Sequence, residues 1–156
     1  MATIPEHLVE LLEGGVSVLL GTRDENHRPE VARAVGASIS KDRAEVTIYL
    51  HEVWGAKALA NLRANGELAV GFSRPYDNLA IQLKGKCTRF VPSTESDRGV
   101  VDRYHGSYSE ALYMVGFPRS LTRRFRMWPA TGVTFAVRDI FVQTPGPEAG
   151  RRLEGA

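Results

Sequence analysis

Residues 29–50 read PEVARAVGASISKDRAEVTIYL. Val31 and Arg33 alternate with small residues, which is the two-residue period of a β-strand. The small residues leave room on their face for a flat group or for the close approach of another strand. A polar triplet at 41–43 interrupts the alternation, which resumes over 45–50. Because so short a connection joins antiparallel strands, the stretch predicts an antiparallel pair.

The elements along the chain follow the order helix, three strands, helix, two strands, helices and a last strand. This order lacks the strict alternation of a parallel sheet, so we predict an α+β, mainly β fold built on a six-stranded antiparallel barrel. Thr3 and Glu6 predict a capping box, Gly85 predicts a bulge, and residues 106–109 predict a break in the third helical stretch. The predicted strands are 16–21, 31–39, 45–50, 68–73, 79–91 and 132–143, with helices expected to start near Thr3, Trp54 and Thr94.

The length and composition of the chain predict one domain. Its 156 residues are 43% hydrophobic, which suffices for a core. We assign residues 1–147 to a single domain and 148–156 to a frayed C-terminal tail. The one cysteine, Cys87, cannot form an internal disulfide, which is typical of a reducing cytoplasm. We find neither a signal peptide nor an apolar run that could span a bilayer, and expect a cytoplasmic protein with no membrane partner.

Motifs for phosphate-loop, dinucleotide or zinc-protease chemistry are absent from the sequence. The four histidines lack metal-ligand spacing, so we expect no metal site. No serine lies in a Gly-x-Ser-x-Gly turn, and the sequence assigns no catalytic residue. A net charge of +2 demands no polyanionic partner, but it permits a local basic site for a phosphate-bearing small molecule.

Two basic residues are candidate anion ligands. Lys57 falls in the first turn of the predicted helix after the third strand, where unpaired N–H groups and the helix dipole favour an anion. A lysine there opposes the dipole, and a bound phosphate would compensate. Arg33 shares a strand face with apolar neighbours and needs a partner if it is buried. An ordinary exposed lysine and an arginine that extends to water remain the alternatives.

Two further features are unusual. Trp54 and His51 lie where the third strand meets the helix, and the indole could stack on a flat ring or pack against the barrel end. Four arginines lie between Arg119 and Arg126. They could meet an anionic substrate or nucleic acid, whereas a solvated face or salt bridges across a dimer is the simpler interpretation. We expect no nucleic-acid partner.

Several local strings occur along the chain in a characteristic order. They are VSVLLGT at 16–22, PEVAR at 29–33, VTIY at 46–49, KALANLRAN at 57–65, LAV at 68–70 and LKGKC at 83–87. In this order they resemble the pyridoxamine 5′-phosphate oxidase-like family of FMN-binding split barrels. The resemblance covers residues 5–92 and, more loosely, 132–143.

The resemblance implies a split β-barrel with flanking helices that forms a homodimer, with FMN in a groove at the subunit interface and a small-molecule substrate. Arg33 and Lys57 match the family positions that hold the phosphate. The end of the third strand matches positions that line the flavin, and a polar residue of the fifth strand reaches the ring. The implied cofactor-binding residues are Arg33, Val35, Tyr49, Leu50, His51, Trp54, Lys57 and Gln82.

The chain departs from the family at two positions. Where the family often has a threonine and a serine near the phosphate, this chain has Leu50 and Gly55. Deazaflavin F420 or FAD is therefore an alternative to FMN. The first hypothesis is an FMN-dependent oxidoreductase, and the second is a non-catalytic flavin- or deazaflavin-binding or sensor protein. A nucleic-acid-binding barrel that uses the arginine cluster is the third.

Overall fold

The computed structural model describes residues 1–153. Its six strands hold the antiparallel pattern expected, and four helices flank them. In chain order the elements are α1 (Glu6–Glu13), β1 (Ser17–Arg23), β2 (Pro29–Ile39), β3 (Glu45–His51), α2 (Ala56–Asn65), β4 (Glu67–Ser73), β5 (Ala80–Val91), α3 (Glu95–Met114), α4 (Arg119–Thr122) and β6 (Ala130–Val142).

The six strands form a closed barrel in the order β1-β2-β3-β6-β5-β4. Every neighbouring pair is antiparallel, including β1 with β4, which closes the sheet. The last strand, β6, lies between β3 and β5, so it joins the three-stranded meander to the β4–β5 hairpin. The predicted α+β fold, a six-stranded antiparallel barrel with flanking helices, is confirmed.

Alternate side chains of each strand fill the barrel interior, as the two-residue period requires. Helix α2 packs against β1 and β2, and α3 packs against β2. Buried residues of both helices extend the apolar core beyond the barrel. The largest interior side chains, all less than 2% exposed, are Leu20, Ile48, Leu50, Phe72, Leu83 and Phe135.

The small-residue face of β2 does not form an outer platform. Ala32 lies opposite Leu20, and Ala34 lies opposite Leu50. Both partners point into the barrel and are fully buried. Ala32 and Ala34 therefore allow another strand to pack closely inside the barrel, which is one of the two interpretations of the small-residue face given above. The other interpretation was wrong for these two residues, because a flat ligand cannot lie against side chains inside the barrel.

Three local expectations were wrong. Helix α3 runs unbroken through Gly106, because Tyr104, Tyr108 and Leu112 bury one helical face and this packing outweighs the glycine's weak helix propensity. Helix α1 begins at Glu6 without a side-chain cap. Residues 150–153, assigned to a frayed tail, are hydrogen-bonded to β6, and 154–156 lie outside the described residues.

Among residues 1–153, no helix is both long and apolar enough to cross a membrane.

The bulge predicted at Gly85 is present, because the register between β5 and β6 shifts between Lys84 and Gly85. A Cβ atom at Gly85 would overlap the carbonyl oxygen of Ala136 and lie 2.7 Å from the Phe135 ring. We expect Gly85→Ala to lower the free energy of unfolding by about 2 kcal/mol, measured by urea unfolding.

Gly99→Ala is the matched control, because a Cβ atom there, within α3, has nothing within 4 Å. We expect it to raise the free energy of unfolding by about 0.5–1 kcal/mol through helix propensity. Equal effects of the two substitutions would contradict the packing assigned to Gly85.

Candidate functional site

The start of α2 presents unpaired hydrogen-bond donors. Gly55 is the residue before the helix, and no side chain caps it. The N–H groups of Lys57 and Ala58 have no acceptor within residues 1–153, whereas that of Leu59 donates to the Gly55 carbonyl at 2.9 Å. Unpaired N–H groups at a helix start attract anions, and the helix dipole adds to this attraction.

Lys57 is already paired with a carboxylate. Its Nζ atom lies 2.7 Å from Oε2 of Glu30, at the start of β2. The lysine side chain is 65% exposed, so water and ions can reach the ammonium group. Glu30 therefore offsets the unfavourable placement of a lysine at the positive end of the dipole.

Arg33 is held by different partners. Its Nη1 atom donates to Ser17 Oγ at 2.9 Å and to the Tyr108 hydroxyl at 3.2 Å. Glu30 and Arg33 are three residues apart on β2, which is about 10 Å along a strand. The structure therefore gives Arg33 and Lys57 no shared partner among the described residues, and the odd spacing of Glu30 and Arg33 places their side chains on opposite faces of β2.

Two rows of outward-facing side chains cross β2, β1, β4 and β5, and the surface that they define is named here the outer strand face. The first row is Arg33, Leu19, Gly71 and Gln82, and the second is Val31, Gly21, Ala69 and Lys84. Each row spans about 14 Å. Leu19 is 43% and Val31 is 65% exposed. Small and apolar groups thus occupy the middle of the face, with Arg33 and Gln82 at opposite ends of one row.

Four predicted cofactor-binding residues have buried side chains, and His51, described below, is one of them. Leu50 points into the barrel and is fully buried, so only its backbone could face a ligand. Val35 is 4% exposed. Tyr49 is also 4% exposed, and its hydroxyl donates to Asp97 Oδ1 at 2.7 Å.

His51 and Trp54 form a stacked pair at the end of β3. Their ring centroids are 4.2 Å apart, and the planes differ by 19°. His51 is buried, and its Nδ1 atom accepts from the Val53 N–H at 3.2 Å. A neutral imidazole in this arrangement carries its proton on Nε2. Trp54 is 67% exposed, so the indole covers the histidine and presents apolar surface outward.

A cavity of about 680 Å³ lies among α1, α3, the β4–β5 loop and residues 142–153. None of the predicted cofactor-binding residues lines it. Val16 lines the cavity just before β1, whereas Thr22 near the end of β1 accepts a hydrogen bond from Asn61 of α2. The cavity and the start of α2 are therefore at opposite ends of the barrel.

Four residues that were not predicted from the sequence contact the predicted cofactor-binding residues. Glu30 pairs with Lys57, Ser17 and Tyr108 hold Arg33, and Asp97 holds Tyr49. The Thr-x-x-Asp spacing of Thr94 and Asp97 was a signal for a capping box, and the structure has one there. This signal concerns Thr94 and Asp97 only: all four contacts to the predicted residues join positions distant in sequence and have no local signal.

The Tyr49–Asp97 contact makes stability depend on pH. Burial of Asp97 opposes its ionisation, but hydrogen bonds from Thr94 and Tyr49 outweigh burial and lower the Asp97 pKa. The contact therefore stabilises the fold above the pKa of about 3.9 of an unfolded aspartate and is lost as pH falls through the lower folded pKa. We expect Tyr49→Phe to cost about 1–2 kcal/mol at pH 7 in urea unfolding, with the cost shrinking below about pH 4.

Tyr104→Phe is the control. The Tyr104 hydroxyl donates to the Val16 carbonyl at 2.8 Å, and a carbonyl does not titrate in this range. Tyr104→Phe should therefore lower the free energy of unfolding by the same amount at pH 7 and below about pH 4. A Tyr49→Phe cost that does not change with pH would refute the role assigned to Asp97.

Comparison of sequences finds no relative: no family model matches the chain, and no curated protein matches it.

Comparison of structures finds proteins of the same fold. An F420 reductase is 15% identical to this chain, with a TM-score of 0.61, and the matched region covers 88% of this chain and 98% of the reductase. A proposed pyridoxamine 5′-phosphate oxidase from Lactobacillus delbrueckii is 13% identical with a TM-score of 0.57, covering 90% and 94%. An FMN-binding protein from Syntrophomonas wolfei is 16% identical with a TM-score of 0.51, covering 86% and 85%. The resemblance found in the sequence is thus confirmed at the level of fold: the chain shares the barrel fold of these proteins.

Proposed function

We propose that this protein is a flavin-binding oxidoreductase of the pyridoxamine 5′-phosphate oxidase-like type, with FMN as its cofactor. The start of α2 carries the proposal, because an exposed Lys57 adjoins two N–H groups without acceptors. A phosphate matches these donors in charge and in number of acceptors. The F420 reductase among the fold relatives supports deazaflavin F420 as the alternative cofactor, and FAD is the other.

The donor set fits a phosphate without the hydroxyls that Leu50 and Gly55 lack. The N–H groups of Lys57 and Ala58 take the place of those hydroxyls, and Lys57 supplies the charge. Arg33, about 10 Å along β2, would hold a different part of the cofactor or a substrate carboxylate. Its guanidinium already binds two neutral hydroxyls, which leave its charge uncompensated.

A bound flavin would supply the redox chemistry. The residues of this chain would bind and orient it: Trp54, backed by His51, offers exposed apolar surface for the ring. Leu50 and Tyr49 would act through the backbone and by packing beneath the site. This division explains why no acid–base pair stands out in the sequence.

We further propose a homodimer with the flavin between two subunits and a small-molecule substrate beside it. The outer strand face supports this, because Leu19, between Arg33 and Gln82, and Val31, in the adjacent row, leave apolar surface exposed. A second copy placed there would remove these side chains from water and cover the cofactor, which one shallow surface cannot do alone.

The second candidate is a non-catalytic flavin- or deazaflavin-binding or sensor protein. The Lys57–Glu30 pair favours it, because a carboxylate 2.7 Å from the ammonium competes with a phosphate. Reduction of bound flavin by NAD(P)H, followed by loss of its visible absorbance, distinguishes an oxidoreductase from a flavin that is bound but inert.

We expect Lys57→Gln to weaken FMN binding about tenfold, because it removes a charge-assisted contact to the phosphate. Riboflavin, which lacks the phosphate, should bind the variant and the parent equally. Glu30→Gln should tighten FMN binding about threefold by freeing Lys57. Flavin fluorescence quenching measures the affinities of the parent and the two variants for FMN and for riboflavin.

The matched control is Lys41→Gln, an exposed lysine in the turn between β2 and β3. It has the same change of charge and should leave FMN affinity unchanged. If Lys57→Gln weakens riboflavin and FMN equally, the lysine does not contact the phosphate. A parent protein that binds none of FMN, FAD and F420 would overturn the proposal.

Val31→Glu tests the dimer, because it places a charge on the outer strand face, beside Gly21. We expect the variant to sediment as a monomer and to lose flavin affinity, whereas the parent sediments as a dimer. Tyr76→Glu places a charge on another exposed residue, which is 44% exposed in the β4–β5 loop. It should leave the dimer intact, and a parent protein that is monomeric with flavin bound would contradict the proposed interface.

A further inference from the structure

Residues 113–126, named here the basic apolar segment, carry an unusual concentration of exposed hydrophobic side chains. Single exposed hydrophobic residues are common on soluble proteins. Within residues 1–153, however, half of the large hydrophobic residues that are exposed lie in this one segment. They are Tyr113, Met114, Val115, Phe117, Leu121 and Phe125, each between 37% and 66% exposed.

The segment is held in place by its own contacts. Thr122 is fully buried, and its carbonyl lies 2.8 Å from Nε2 of His105 on α3. Arg119 forms two hydrogen bonds with the Glu110 carboxylate, at 2.8 and 2.7 Å. Met127, just after the segment, is buried. These anchors fix the backbone, so the hydrophobic side chains face outward because of the fold.

The charge of the segment has one sign. It contains four arginines, and no Asp or Glu occurs anywhere from residue 111 to residue 138. Arg119 forms a salt bridge with Glu110. The other three arginines are exposed and make no salt bridge with any described residue: Arg123, Arg124 and Arg126. The surface therefore combines open apolar area with uncompensated positive charge.

The exposed apolar area and the positive charge together indicate which kind of partner could bind this surface. A second copy of this chain packed symmetrically would bring the two sets of arginines together, and Glu110, the acidic residue beside them, is already paired with Arg119. A nucleic acid would satisfy the arginines and could stack on Tyr113, Phe117 or Phe125, but it would leave Met114, Val115 and Leu121 without an apolar partner. The boundary between headgroups and acyl chains of an anionic bilayer accepts both the hydrophobic side chains and the arginines.

We propose that the basic apolar segment binds the surface of anionic membranes, with Met114, Phe117 and Leu121 inserted below headgroups that Arg123 and Arg124 contact. The sequence predicts no membrane-spanning segment and no membrane partner, but surface binding needs no such segment. An enzyme bound in this way would meet substrates that dissolve in the bilayer.

Flotation of the full-length protein with lipid vesicles tests the proposal. We expect binding to vesicles of equal parts phosphatidylglycerol and phosphatidylcholine to be at least about tenfold tighter than to phosphatidylcholine alone. High salt should weaken it. Equal binding to both kinds of vesicle, or binding to neither, would overturn the proposal, and this comparison needs no variant.

Variants separate charge from insertion. Arg123→Glu/Arg124→Glu and Phe117→Ser/Leu121→Ser should each weaken binding at least about tenfold. The control, Lys41→Glu/Lys86→Glu, changes the net charge equally at two exposed lysines elsewhere and should change binding less than about threefold. If the control variant loses as much vesicle binding as the arginine variant, binding responds only to net charge, and the proposal is contradicted.

Two other results would reassign the surface. If Phe117→Ser/Leu121→Ser converts a dimer into a monomer in sedimentation, the segment is a contact between copies. If a DNA duplex binds more tightly than the anionic vesicles and this variant still binds it, the arginines serve nucleic acid. Either result rejects the membrane proposal, and neither bears on whether flavin binds at α2.

Discussion

Hydrogen bonding between β1 and β4 closes the sheet, and the arrangement of every outer side chain depends on that closure. In a closed barrel, alternate residues of each strand must point inward, so a slip of one residue would turn Arg33 into the core. The observed register instead aligns Arg33, Leu19, Gly71 and Gln82 in one outer row. The outer strand face and the interior position of Leu50 both follow from this alternation.

The second organising interaction is electrostatic and lies at the start of α2. Lys57 sits where the helix dipole is positive, and Glu30 compensates for it in the isolated chain. A phosphate would take over this role and would also satisfy the N–H groups of Lys57 and Ala58. Because exposed ion pairs contribute only about 0–1 kcal/mol, Glu30 is a weak competitor for such a ligand. The structure thus relates stability of the helix start to its capacity to bind an anion.

Periodicity was sufficient to predict the strands, since two-residue alternation is a local property of the chain. It was also sufficient, in principle, to place Leu50 inside the barrel, because Leu50 continues the inward series of β3. The break expected at Gly106 failed because burial of the α3 face outweighs one glycine. The partners of Arg33 and Lys57 could not be predicted from the sequence, because Tyr108 is 75 residues from Arg33 and Glu30 meets Lys57 only where α2 packs against β2.

The central claim is that this barrel binds a flavin through its phosphate at α2. Visible absorbance of the purified full-length protein, recorded after incubation with FMN and removal of unbound cofactor, tests that claim most directly. The account predicts a flavin spectrum that elutes with the protein at one FMN per chain. Colourless protein after incubation with FMN, and equally with FAD and F420, would contradict it.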